Sequence, residues 1–278
     1  MYGALVPEIE LKRAGGVAYR EAGPRESEHL PVICLHGWPQ SSYMWRHLLP
    51  ALASTGRRAV APDYLGFGDS PPDPPGTFHR QVEAIERFRQ ELDLDRAVLV
   101  LHDTGGLIGL RWACDHPGTV GGLVLTNTGF FPDHDWMEIA ETMRTPVQGE
   151  ALVDSLSREG FGTLLKTASD SFDEHALDEY WKAFTSPEGR RGMLELYRSF
   201  DLDELKPYQP KLAALDVPTL ILWGKQDEFL PVDYASRFAE KIPRSKVVML
   251  EEVRHFLFED EPERCAEEVL GFLEEAGL

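Results

Sequence analysis

The chain has 278 residues, 42% of them hydrophobic, and 28 Lys and Arg stand against 47 Asp and Glu for a formal net charge of −19. That length and apolar share fit one α/β domain carrying an insertion. The acidic balance excludes nucleic acid and anionic membrane as partners, because phosphates are met by basic surface, and it favours a neutral substrate. No apolar run approaches the roughly 18 residues of a membrane span. Residues 1–8 show no basic stretch followed by an apolar one, so no secretory signal is read there. The three cysteines, Cys34, Cys114 and Cys265, are far apart and lack metal-ligand spacing. They read as buried free thiols of a cytoplasmic protein.

Short apolar runs recur along the chain with helical patterns between them. Residues 30–35 read as a buried strand and 58–61 as a shorter one. The Pro-rich stretch 71–75 is a stiff loop, and 81–92 has helical spacing. Residues 97–101 form the next strand, followed by a helix-like run at 107–113 and a further strand at 122–126. Strands are then expected at 218–223 and 246–250, with helices at 234–241 and 262–273. Runs that are apolar without alternation suit strands covered on both faces, as in a parallel sheet. From about 132 to 215 no strand pattern appears. Charged helical segments alternate there with breaks at Gly149, Gly160, Pro187, Gly192 and Pro207. This is a helical insertion after the sixth strand, placed over the carboxyl ends of the strands where open α/β sheets bind ligands.

The chemistry concentrates at His102-Asp103-Thr104-Gly105-Gly106, between a strand and a helix. Strand, sharp turn and helix form a nucleophile elbow, which usually carries Ser in G-x-S-x-G. Here the central residue is Asp103. A carboxylate is ionised at neutral pH without a base to activate it, and it displaces leaving groups from saturated carbon. As a lone strand-end residue Asp103 could be only a helix cap, but three further features support it. His36-Gly37-Trp38-Pro39 follows the strand ending at Leu35, where a loop of this kind supplies one oxyanion-hole amide. The residue after the nucleophile supplies the other, so the hole is assigned to the N–H groups of Trp38 and Thr104. Trp223-Gly-Lys-Gln-Asp227 places an acid after a strand, and Val253-Arg-His255 follows the last one. Nucleophile, acid, His is the chain order of α/β-hydrolase triads.

With Ser42-Tyr-Met-Trp-Arg46 and Asp63-Tyr-Leu-Gly-Phe-Gly-Asp-Ser70 added, these motifs resemble the aspartate-nucleophile branch of the α/β-hydrolase superfamily, the haloalkane dehalogenases and epoxide hydrolases. The resemblance implies an α/β-hydrolase fold: a mostly parallel eight-stranded sheet with helices on both faces and a helical cap. The core would span 1–131 and 214–278, and the cap 132–213. It implies a two-step reaction with no metal or cofactor. Asp103 attacks carbon to form an alkyl ester. His255, oriented by Asp227, then takes a proton from the water that attacks the ester, while Trp38 and Thr104 hold the oxyanion. His36 and His102 read as supports of loop backbone, and Asp63 as structural. His29, His47, His79, His116, His134 and His175 read as surface residues. Asn127 stands where some relatives place the acid, so Asp227 is the better candidate.

The leaving group is less sharply marked. Haloalkane dehalogenases have a halide-binding Trp directly after the nucleophile, where this chain has Thr104; the Trp38 indole is the substitute donor, with Trp136 and Trp181 as further candidates or as packing. Epoxide hydrolases use two cap tyrosines. Tyr197 resembles one, and Tyr180 stands in for the other only in a rearranged cap. Fluoroacetate dehalogenases carry Arg where this chain has Thr104 and Leu107. The expected function is therefore hydrolytic dehalogenation of small, neutral, apolar haloalkanes by water, with epoxide hydrolysis to diols as the alternative. A luciferase-like oxygenase or a ligand receptor is the reading from another class; release of halide or diol excludes both.

Overall fold

A computed structural model describes residues 9–278; the opening stretch on which no secretory signal is read lies outside the described residues. Eight strands form one sheet in the order β1-β2-β4-β3-β5-β6-β7-β8. They are β1 (Glu10–Ala14), β2 (Val17–Ala22), β3 (Val32–Leu35), β4 (Ala59–Pro62), β5 (Ala97–His102), β6 (Val120–Thr126), β7 (Thr219–Gly224) and β8 (Ser245–Leu250). The pairs β1–β2 and β2–β4 are antiparallel and the others parallel. Every residue of β3, β4, β5, β6 and β7 is buried, which is why these strands read as unbroken apolar runs.

The six apolar runs correspond to β3 through β8. The hairpin β1–β2 has no such run. It lies at the sheet edge with charged residues on both of its faces, and Gly15 and Gly16 turn it at φ +60° and +87°. A Cβ on Gly15 would come within 2.4 Å of the Phe88 backbone nitrogen.

The helices of the core are α1 (Leu48–Ser54), α2 (Phe78–Glu91) and α3 (Thr104–Asp115). Between β6 and β7 the chain is helical, with α4 (Glu138–Arg144), α5 (Gln148–Ser155), α6 (Arg158–Ala168), α7 (Glu174–Trp181), α8 (Pro187–Ser199) and α9 (Gln209–Ala213). After β7 come α10 (Asp233–Lys241), α11 (Leu257–Asp260) and α12 (Pro262–Glu275). Helix α1 packs on α12, and α2 packs on α3, covering the sheet in two layers. Among the described residues no helix is long and apolar enough to cross a membrane.

Partly buried polar contacts dock the insertion on the core. Arg20 pairs with Glu179 at 2.7 Å, and Lys182 with Asp69 at 3.0 Å. The Glu259 carboxylate, its side chain fully out of solvent, pairs with Arg46 at 2.7 Å and accepts from Gln40 at 3.2 Å and from the Tyr180 hydroxyl. All three cysteines are free and buried. Burial pushes their thiol pKa values up, that of Cys114 to about 12, so they are unreactive.

Candidate active site

Asp103 is the single residue between β5 and α3, held at φ +48° and ψ −122°. A non-glycine residue persists in that region only where its surroundings impose it. Here its N–H donates to Asn127 O at 3.1 Å, and its carbonyl accepts from Gly106 N at 2.8 Å and from the Thr128 hydroxyl at 2.6 Å. The two glycines that follow let α3 start against β3 and β6. A Cβ on Gly105 would sit 2.3 Å from Leu35 O, and one on Gly106 would sit 1.9 Å from Thr128 Oγ1.

The carboxylate is oriented by different groups at its two oxygens. Oδ2 accepts from the Trp38 N–H at 2.8 Å and from the Thr104 hydroxyl at 2.9 Å. Gly37 leaves room for this, since a Cβ there would lie 2.6 Å from Asp103 Cβ. Oδ1 lies 3.9 Å from His255 Nε2, too far for a hydrogen bond. His255 Nδ1 is bonded to Asp227 Oδ2 at 2.8 Å. Asp227 in turn accepts on Oδ1 from the N–H groups of Phe229 at 2.7 Å and Leu230 at 3.1 Å.

Asn127 completes this chain, and the sequence reading missed it. Its amide donates to Asp227 Oδ2 at 2.6 Å, and its carbonyl accepts from Gly224 N at 2.8 Å. The signal was present: an amide occupies the strand end that was weighed only as an alternative acid position.

Three imidazoles crowd Asp103, and their environments separate them. Burial lowers His36 to about 4. Its Nε2 accepts from Tyr64 N at 3.2 Å, and its Nδ1 meets Gly37 O at 3.0 Å. Burial, with the neighbouring His255, lowers His102 to about 3, and its Nδ1 faces Thr126 O at 3.2 Å. Burial also pulls His255 down, but the charges of Asp227 and Asp103 outweigh it, so His255 is raised above the ordinary histidine value. Burial acts to raise Asp227 as well, yet His255, Asn127 and the Phe229 N–H bring it below the usual carboxylate range. His102 thus meets Thr126 at the end of β6, while His36 ties down loop backbone, as expected. Asp63, fully buried, does the same by accepting from Ser42 N at 2.6 Å and Asp69 N at 2.9 Å.

The leaving-group candidates divide. Trp136 and Tyr197 line the cavity in front of Asp103. Their rings meet edge-on at 6.1 Å, and the Tyr197 phenol is buried close to Asp103. Tyr180 and Trp181 do not line it. The first is held on Glu259, and the second stacks on Phe184 at 5.3 Å. Their helix turns those side chains into its own packing. The indole N–H of Trp38 donates to Met193 Sδ at 3.3 Å, so it is turned toward α8, not aimed at Asp103. His134 departs from its surface reading: it lines the cavity, its Nδ1 3.0 Å from the Tyr234 hydroxyl. Among the described residues no group of three or more His, Cys, Asp or Glu side chains is arranged to hold a metal ion.

A family model for the alpha/beta hydrolase fold matches residues 31–262. The chain belongs to the α/β-hydrolase family. Among curated α/β-hydrolase relatives, a haloalkane dehalogenase of Bradyrhizobium diazoefficiens is 28% identical, with 96% of this chain and 94% of that protein covered. A cis-3-alkyl-4-alkyloxetan-2-one decarboxylase of Xanthomonas campestris is 26% identical, with 98% and 97% covered. The crystal structure of a haloalkane dehalogenase from Bradyrhizobium elkani superposes with a TM-score of 0.85 at 26% identity, covering 98% of this chain and 99% of that one. This α/β-hydrolase is therefore an enzyme of the haloalkane dehalogenase-like kind.

Proposed function

We propose that the chain hydrolyses small neutral haloalkanes through a covalent ester on Asp103, with His255 and Asp227 completing the triad beneath a cap of residues 132–213. The observation that carries this reading is the carboxylate of Asp103, with Oδ2 fixed by Trp38 N–H and Oδ1 open toward His255. A lone pair on Oδ1 attacks carbon in line, and the halide leaves with the bonding pair. A water then gives its proton to His255 Nε2 and attacks Cγ of the ester. Charge develops on Oδ2, where the Trp38 N–H and Thr104, through its hydroxyl and the amide that opens α3, stabilise it. The alcohol departs with Oδ1, taking the proton back from His255; the water oxygen replaces Oδ1, and its remaining proton is lost to solvent as the carboxylate re-forms.

Ester formation also removes one of the charges that raise His255, that of Asp103. The imidazole becomes a weaker proton holder when the second step calls for a free base, while Asp227, held by Asn127, keeps it oriented.

Epoxide opening is the second reading, and Tyr197 favours it. Its phenol lies beside Thr104 in the Asp103 cavity, placed to protonate the oxygen released from a ring. A paired assay with 1,2-dibromoethane and styrene oxide, following bromide and diol, tests the assignment. Bromide release supports dehalogenation; diol without bromide reverses the order of the two readings. In water labelled with oxygen-18, the first turnover yields unlabelled alcohol if Asp103 is the nucleophile, and labelled alcohol if water attacks the substrate directly.

A further inference from the structure

Asp103 stands at the junction of two apolar lobes. One is lined by Phe78, Leu107, Phe131, Trp136, Phe200 and Leu202. The other extends toward α5 and α6 and is lined by Ile139, Leu152, Leu164, Leu165 and Phe256, with His255 beside them. Both include Asp103, Met137, Ala140, Tyr197 and Phe229. In an in-line displacement, the three groups that remain on the reacting carbon spread into a plane across the attack axis. A terminal carbon sends one chain outward in that plane, into one lobe. An internal carbon sends two chains apart, and a divided cavity receives both.

We propose that the preferred substrates react at an internal carbon, with one alkyl arm in each lobe. This rests on Asp103 being the nucleophile. Each methylene buried in a lobe strengthens binding about fourfold, so the preference grows with the length of both arms. Neither lobe alone accounts for that dependence.

Leu202→Trp and Leu164→Trp fill one lobe each. Both leucines are half-buried, and neither belongs to the triad or the oxyanion hole. With 4-bromoheptane, each substitution lowers kcat/KM for bromide release by about tenfold or more. With 1-bromohexane only one of them does, and with 2-bromopropane neither does. If Leu164→Trp slows all three bromides alike, that lobe is a passage to the site and the proposal fails. It also fails if 1-bromohexane responds to both substitutions as 4-bromoheptane does. Calorimetric binding of heptan-4-ol and heptan-1-ol to the wild type and both variants reads the same division without any chemistry. Absence of bromide from every substrate would thus overturn the dehalogenase reading, while equal losses for the two alcohols in both variants would overturn the two-lobe one.

Discussion

Trp38 meets Asp103 through its main chain, N–H to Oδ2 at 2.8 Å, while its indole N–H donates to Met193 Sδ at 3.3 Å. The residue thus acts on the Asp103 carboxylate with the part of it that every amino acid other than proline shares. A thioether is a weak acceptor, so the indole contact holds the ring against α8 more than it stabilises the site. Trp38→Phe is expected to change the rate of bromide release by less than about threefold, since the backbone donor is kept. A loss of about a hundredfold, the scale of a hydrogen bond to a charged group, would mean that the indole swings into the cavity to hold halide.

His255 is raised above 6.5, with Asp227 and Asp103 overcoming the opposing effect of burial. A raised pKa favours the imidazolium, so the neutral base is lost as pH falls through that raised value. Esterified Asp103 carries no charge, and the limb for ester hydrolysis should then fall at lower pH than the titration of His255 in the free enzyme. NMR titration of free His255, set against single-turnover hydrolysis of the preformed ester, measures both. Coincident values would remove the electrostatic role assigned to Asp103.

Asn127→Ala deletes the 2.6 Å bond to Asp227 and the 2.8 Å bond from Gly224. Losing a bond to a charged acceptor lowers the rate by about 10- to 100-fold. The loss is expected in ester hydrolysis, which uses His255, and not in the burst of bromide that precedes it. Rapid-quench kinetics with a good bromoalkane separates the two phases. A burst slowed as much as the hydrolysis would place Asn127 on the alkylation step.

Glu259 pairs with Arg46 at 2.7 Å, with its side chain fully buried. Glu259→Ala leaves that guanidinium, and the Tyr180 hydroxyl that donates to the same carboxylate, without their partner. Removing one member of a buried ion pair costs about 3–5 kcal/mol. Urea unfolding of the variant against the wild type measures it. A cost under about 1 kcal/mol would show that water reaches Arg46 there.

Much of the site was legible in the chain order. Asp103 and Asp227 each follow a fully buried strand and His255 follows the partly exposed β8; strands announce themselves by apolar content, so residues near their carboxyl ends can be found without coordinates. The hairpin β1–β2 was not legible, because charged residues on both faces of its strands interrupt any apolar run. Asn127 was visible at a strand end, yet its partner stands 100 residues away, and nothing local marks an amide as the orienting group of a distant carboxylate. Tyr180, Trp181 and Tyr197 shared one description, aromatic residues on helices of the insertion. Helical periodicity does not say which face meets the cavity.

The sequence by itself determined the strands from β3 onward, their order and the elbow that carries Asp103, because these follow from local apolar patterning and from residue chemistry at strand ends. Only the tertiary structure decided where the donors point. Trp38 faces Met193 across 155 residues of chain, and Tyr180 faces Glu259 across 79. The direction of a side-chain N–H or O–H is set by which polar atom packing brings within about 3 Å, and that depends on elements far apart in sequence closing on one another.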